Sequence, residues 1–170
     1  MIKENVANLL NEQVNKELYS AYLYLEMNNY FEHQGLHGFA HWYHVQALEE
    51  LDHAMLIYQY LHNEEFDVEL KAIANPAHAF VEDREVLETA LDHEKYVTAS
   101  IHAIYKVASD ANDFRTLQFL DWFVKEQAEE EVNAKELLTK MDLFGSDSKG
   151  LYLLDRELSY RVHEAPDLVI

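Results

Sequence analysis

Glu50 and His53 form the pattern Glu-x-x-His inside the stretch ALEELDHAM. On an α-helix, residues three apart share a face about one turn apart. A carboxylate and an imidazole held in this way supply half of a metal site. In an acidic chain with ten histidines such a short motif also arises by chance. An internal repeat lifts it above chance. Glu94 lies 77 positions after Glu17, and the same offset carries Glu49, Glu50 and His53 onto Glu126, Gln127 and Glu130. Apolar positions keep the offset as well, with Leu10 falling on Leu87, Val14 on Leu91 and Ala47 on Val124.

Two helical hairpins related by a pseudo-twofold axis would bring these side chains together in the middle of a four-helix bundle. Bundles that hold two metals are built this way, with one Glu from each of two helices and Glu-x-x-His from each of the others. Glu17, Glu50 and His53 then offer ligands to one metal, and Glu94, Glu130 and the shared Glu50 to a second. With no cysteine in the chain, every donor is oxygen or imidazole, a set that suits Fe²⁺, Mn²⁺ or Zn²⁺. So many carboxylates cannot all ionise at close quarters, so metal binding is expected to release protons.

The helices that carry these residues can be read from apolar spacing. The first covers about residues 5–31 and runs through Leu9, Leu10, Val14, Leu18, Ala21 and Leu25, with Glu17 and Tyr24 on its inward side. Gly35 and Gly38 mark a short turn into the second helix, about residues 38–62. Periodicity then weakens over residues 63–81, and Asn75-Pro76 blocks continuation, so a long crossover is expected that makes helices two and three parallel. The third helix begins near Asp83, read as its cap, and the fourth covers about residues 114–143. There Glu126, Gln127, Glu129, Glu130 and Glu131 crowd into less than two turns. This run reads either as a solvated acidic face or as a patch beside the centre that binds a further cation.

Gly145 and Gly150 break the fourth helix, and a short fifth helix is expected over about residues 150–161, followed by a tail at 162–170 that contains Pro166. Its apolar side, Leu151, Leu154 and Leu158, finds the four-helix core already complete, so self-association is the expected use. The architecture is thus all-α: one domain over residues 1–170, with a core bundle at about 5–143.

A formal charge of −19 argues against nucleic acid as a partner. No apolar run approaches the length of a membrane span, and four Gly and two Pro suit long uninterrupted helices. The opening MIKENVANLL lacks a signal-peptide pattern, so a cytoplasmic location is expected.

The stretches NEQVNKELYSAYLYLEM, ALEELDHAM, ALDHEKYVT, FVKEQAEEEVNAKELL and GLYLLDRELS together resemble the non-haem bacterial ferritins over nearly the whole chain. The resemblance implies a homo-oligomeric shell of 24 five-helix subunits that oxidises Fe²⁺ with O₂ or H₂O₂ and stores ferric mineral inside. It matches Glu17, Glu50 and His53 to a first iron position, and Glu50, Glu94 and Glu130 to a second with Gln127 beside it. Tyr24 matches the tyrosine next to the centre, and Glu49, Glu126, Glu129 and Glu130 match a third iron position. Haem-containing relatives carry Met directly after the Glu of the second helix; Leu51 stands there, so no haem is expected. Animal ferritins line their threefold channels with acids where this chain has Leu117 and Leu120, which leaves the route of iron access open. A di-iron oxygenase of lower oligomeric state, or a non-enzymatic acidic helical module, would also fit the residues taken alone.

Overall fold

The computed structural model describes residues 2–76 and 79–170. The regular structure among them is helical: α1 (Glu4–Gln34), α2 (His37–Asn63), α3 (Asp83–Asp110), α4 (Phe114–Phe144) and α5 (Ser148–Leu158). The expected bundle with its long crossover and short last helix is therefore the observed architecture.

Gly35 adopts φ 74° at the end of α1, where a left-handed residue turns the chain straight into α2. At the other hairpin, Asp113 caps α4 by accepting from the Thr116 N–H. The crossover starts beside the beginning of α1, where Asn11 and Glu69 exchange two hydrogen bonds, Nδ2 to O at 3.0 Å and N to Oδ1 at 2.9 Å. It ends beside the far part of α1, where Phe80 meets Tyr30 edge-on and the Tyr30 hydroxyl donates to Asp83 at 3.0 Å. From Asn11 to Tyr30 the helix rises roughly 28 Å. The connection therefore travels the length of the bundle, and α3 starts at the end where α2 started. Asp83 is the first helical residue rather than the cap, which is Glu82; its charge faces the helix N-terminus.

The inward line of α1 departs from the expected one. Leu10, Val14, Glu17, Ala21, Tyr24, Met27 and Phe31 are buried, whereas Leu25 is 43% exposed. From Leu10, Leu25 lies fifteen residues on, about 60° past four full turns, whereas Tyr24 lies about 40° short of them. Alternating steps of four and three stay on the face, and those steps place Glu17 and Tyr24 on it.

The fifth helix is also corrected. It begins at Ser148 because Asp147 caps it, accepting from the Gly150 N–H at 2.7 Å; Gly150 lies inside the helix and does not break it. It ends at Leu158 instead of continuing to 161. Its apolar side is used within the chain itself. Leu154 and Leu158 are buried against Phe39, Tyr43, Leu137 and Met141 at one end of the bundle. Asp155 accepts from the Phe39 N–H at 3.0 Å and so caps α2 from outside. The two helices approach so closely that a Cβ on Gly38 would stand 1.6 Å from the Asp155 carbonyl oxygen.

The core has two apolar halves. One holds Tyr24, Met27, Phe31, Phe39, Tyr43, Leu87, Leu137 and the fifth helix; the other holds Val6, Leu10, Ile57, Leu61, Ile101, Leu120 and Phe123. Leu120 is thus a core residue, with Leu117 packed beside it. Between the halves lies a waist of buried polar side chains.

Candidate metal centre

The waist draws on all four long helices: Glu17 from α1, Glu50 and His53 from α2, Glu94 from α3, and Gln127 and Glu130 from α4, each no more than 4% exposed. Ionised carboxylates at such depth cost many kcal/mol unless they are paired, coordinated or protonated. Each has been given an amide or hydroxyl donor. Gln13 Nε2 donates to Glu17 Oε1 at 2.9 Å. Gln46 Nε2 donates to Glu130 Oε2 at 2.8 Å and to Glu50 Oε1 at 3.3 Å. Gln127 Nε2 donates to Glu94 Oε2 at 3.1 Å, and the Tyr24 hydroxyl donates to the other Glu94 oxygen.

Three ligand atoms are left over. Glu17 Oε2, Glu50 Oε2 and His53 Nδ1 are buried with no hydrogen-bond partner. Native interiors rarely leave such atoms orphaned without a reason such as an ion. Their residues meet: each of the three offers one ligand atom within 4.8 Å of the others, and Glu50 Oε2 lies 3.5 Å from His53 Nδ1. Two carboxylates and an imidazole meeting at this distance, each with an orphaned atom, form a donor set for a divalent cation of the iron or zinc kind.

On the far side of the imidazole a second grouping appears. His53 Nε2 stands 3.9 Å from Glu126 Oε1, and His53, Glu126 and Glu130 also offer atoms within 4.8 Å of one another. They border a cavity of about 310 Å³ between α2 and α4, which Glu49 and the exposed Glu129 also line. The sequence pairing of Glu50 with Glu94 and Glu130 is drawn more loosely. Glu94 is turned toward Tyr24 and Gln127, and the Gln46 amide stands between Glu50 and Glu130.

Electrostatics follows from the geometry. Burial, reinforced by the charge of Glu50, pushes Glu17 up to about 8, and the same two causes push Glu94 to about 8. Glu50 and Glu130 are raised as well, chiefly by burial and then by the neighbouring carboxylates Glu130 and Glu94 respectively. At neutral pH the metal-free waist therefore keeps much of its charge suppressed by protons. Tyr24, buried and facing Glu94, is pushed well above the ordinary phenol range and stays a hydrogen-bond donor.

A ferritin-like domain profile matches residues 7–144. A probable bacterial non-haem ferritin-like protein of Haemophilus influenzae is 39% identical over 93% of this chain and 96% of its own length. The bacterial non-haem ferritin of Campylobacter jejuni is 36% identical over 92% and 93%. This chain belongs to the ferritin family. Solved structures agree: the open-pore ferritin of the hyperthermophilic archaeon Archaeoglobus fulgidus superposes with a TM-score of 0.92 at 41% identity over 95% of this chain and 98% of that one. A closed form of the same ferritin, engineered by mutagenesis, gives 0.94 at 40% identity over 96% and 100%.

Within this ferritin chain, sequence reasoning missed the amides that hold the carboxylates. Gln13 and Gln46 each stand four residues before a central glutamate, Glu17 and Glu50, and that shared spacing is the signal that could have found them. It also missed a chain of hydrogen bonds behind Glu17, in which Lys16 Nζ donates to Ser100 Oγ at 2.7 Å and Ser100 donates to Gln13 Oε1 at 2.6 Å. That second bond fixes which way the Gln13 amide points. Among the described residues, no helix is long and apolar enough to cross a membrane.

Proposed function

We propose that this chain stores iron, oxidising Fe²⁺ at a centre inside each subunit and keeping ferric mineral within a cytoplasmic shell of 24 copies. The observation that carries the reading is the convergence of Glu17, Glu50 and His53, each with a ligand atom buried and without a partner. Iron is the substrate. Glu17, Glu50 and His53 bind one Fe²⁺; Glu50, Glu94 and Glu130 bind a second, with Gln127 and Tyr24 holding Glu94 in place. Each Fe²⁺ gives up one electron, and one O₂ takes both with two protons and leaves as H₂O₂; peroxide serves as an alternative oxidant. The protons displaced from the waist carboxyls on loading are available at the same place. Glu49, Glu126 and Glu129, with Glu130, offer a third position through which ferric ions leave toward mineral.

Fe²⁺ and O₂ added to the purified metal-free protein should give fast oxidation seen by absorbance, in a particle whose size fits 24 subunits. Glu50→Ala removes the residue shared by both ions and should abolish the fast phase while assembly persists. Wild-type oxidation rates in that variant would overturn the site assignment.

A further inference from the structure

The residues after α5 do not trail away from the bundle. They turn back over the seam between α2 and α4 and are tied there at several points. His41 Nε2 and the Arg161 carbonyl lie 2.8 Å apart, His163 Nε2 and Asp52 Oδ2 lie 2.7 Å apart, and Asp167 accepts from Trp122 Nε1 at 2.8 Å. Arg161 reaches deepest, its side chain only 12% exposed. Its guanidinium lies over the Trp42 ring, 4.1 Å from the centroid, and Nη1 donates to Gln46 Oε1 at 2.7 Å. Nη2 donates to Glu49. Glu49 is a wall of the 310 Å³ cavity into which His53, Glu126, Glu129 and Glu130 also face.

We infer that Arg161 is a built-in counter-cation of this acidic vestibule, competing with an incoming divalent metal for Glu49 and so setting how tightly the vestibule holds it. The inference rests on reading Glu49, Glu126 and Glu129 as a third metal position. A guanidinium donating to a carboxylate makes a charge-assisted hydrogen bond, stronger than one between neutral groups. A metal ion that takes the same carboxylate must displace Nη2, because two cations on one carboxylate repel at close range. Displacement is feasible because Arg161 keeps a seat without Glu49: the Trp42 face and the Gln46 carbonyl hold the rest of the fork. The arrangement makes the vestibule a place of weak holding, where a metal ion can stop briefly and move on.

The test is calorimetric titration of the full-length, assembled, metal-free protein with Zn²⁺, which carries no redox chemistry. Neutral Arg161→Gln and Arg161→Ala should tighten the weakest Zn²⁺ per subunit by about tenfold, the equilibrium equivalent of one charge-assisted hydrogen bond. Arg161→Lys keeps the charge but not the fork or the stacking, and should fall between the wild type and the neutral variants. A purely structural role, holding Gln46 or the chain end, would instead make Lys behave like Ala. In a Glu49→Gln background the gain should vanish, as a double-mutant cycle requires for a direct pair. An unchanged weak affinity in the neutral variants, or an equal gain without Glu49, would overturn the inference. Should those variants fail to assemble, a Zn²⁺-soaked crystal of the wild type decides: metal on Glu49 with Arg161 turned away supports it, and metal there beside an unmoved Arg161 sinks it. Absence of tight Zn²⁺ at Glu17, Glu50 and His53 would count against the metal-centre reading instead.

Discussion

Gln46 and Glu130 stand 84 residues apart in sequence and are joined by a 2.8 Å hydrogen bond across the seam between α2 and α4. The same amide nitrogen reaches Glu50 at 3.3 Å, so one neutral side chain holds two acids that repel each other. In the metal-free protein it does part of what a cation would do.

Gln46→Leu keeps the volume and removes the donor. The metal-free protein should lose about 1–3 kcal/mol, the cost of leaving buried acceptors unsatisfied. Once metal takes over the carboxylates the loss should shrink. Denaturant unfolding with chelator and with Zn²⁺ would measure both, and an equal loss in the two conditions would show that Gln46 matters only as packing.

The raised carboxyls predict an unusual stability profile. Glu17 and Glu94 titrate near 4.5 when unfolded and near 8 when folded, so between these values the native state holds more protons than the unfolded one. Stability then falls as pH rises through this window and levels off above about 8. Thermal melts of the metal-free protein from pH 5 to 9 should show this decline. Glu50→Gln, which removes one of the repelling charges, should flatten it; a melting temperature that rises across the window would contradict the assignment.

Metal loading should run on the same protons. Zn²⁺ added to lightly buffered metal-free protein at pH 7 should acidify the solution, because carboxyls still protonated there must give up their protons to bind. The number released per metal should fall toward zero from these groups as pH passes above about 8. No release at pH 7 would mean that the waist is already ionised.

Gly38→Ala tests the seat of α5. The added methyl meets the Asp155 backbone carbonyl, which cannot yield as a flexible side-chain end would. Overpacking of this kind costs about 1–3 kcal/mol. The loss should appear as faster proteolysis near residues 148–158 while helix content by circular dichroism stays near that of the wild type. Unchanged protection there would show that α5 is held from elsewhere.

Much of this was legible in the sequence because helices are rigid rulers. The spacing of Glu17, Glu50, His53, Glu94 and Glu130, and its repetition, follows from helical pitch, and all five side chains are buried in the waist. The amides of Gln13 and Gln46 were harder to read, since glutamine on a helix usually faces water and only their shared place four residues before Glu17 and Glu50 marks them. Gly38 read as a turn residue, yet Gly35 makes the turn and Gly38 is small because α5 crosses it. The return of Arg161 to Glu49 was invisible for a related reason: the residues after α5 have no periodicity, and their place is set by partners 112 positions away.

The division of the core into two apolar halves has a further consequence, for stagger. In a bundle lined only with leucine and valine, one helix can slip a full turn, about 5.4 Å, and find equivalent packing. Here a slip of α1 would draw Glu17 toward the level of Val14 or Ala21, and a slip of α3 would draw Glu94 toward Ala90 or Val97. Either move would separate a buried acid from its partners across the bundle at a cost on the order of several kcal/mol. Only one mutual alignment lets Gln46 span Glu50 and Glu130 while Gln127 meets Glu94. The waist thus acts as an index mark that rules out mis-staggered bundles before any metal is present.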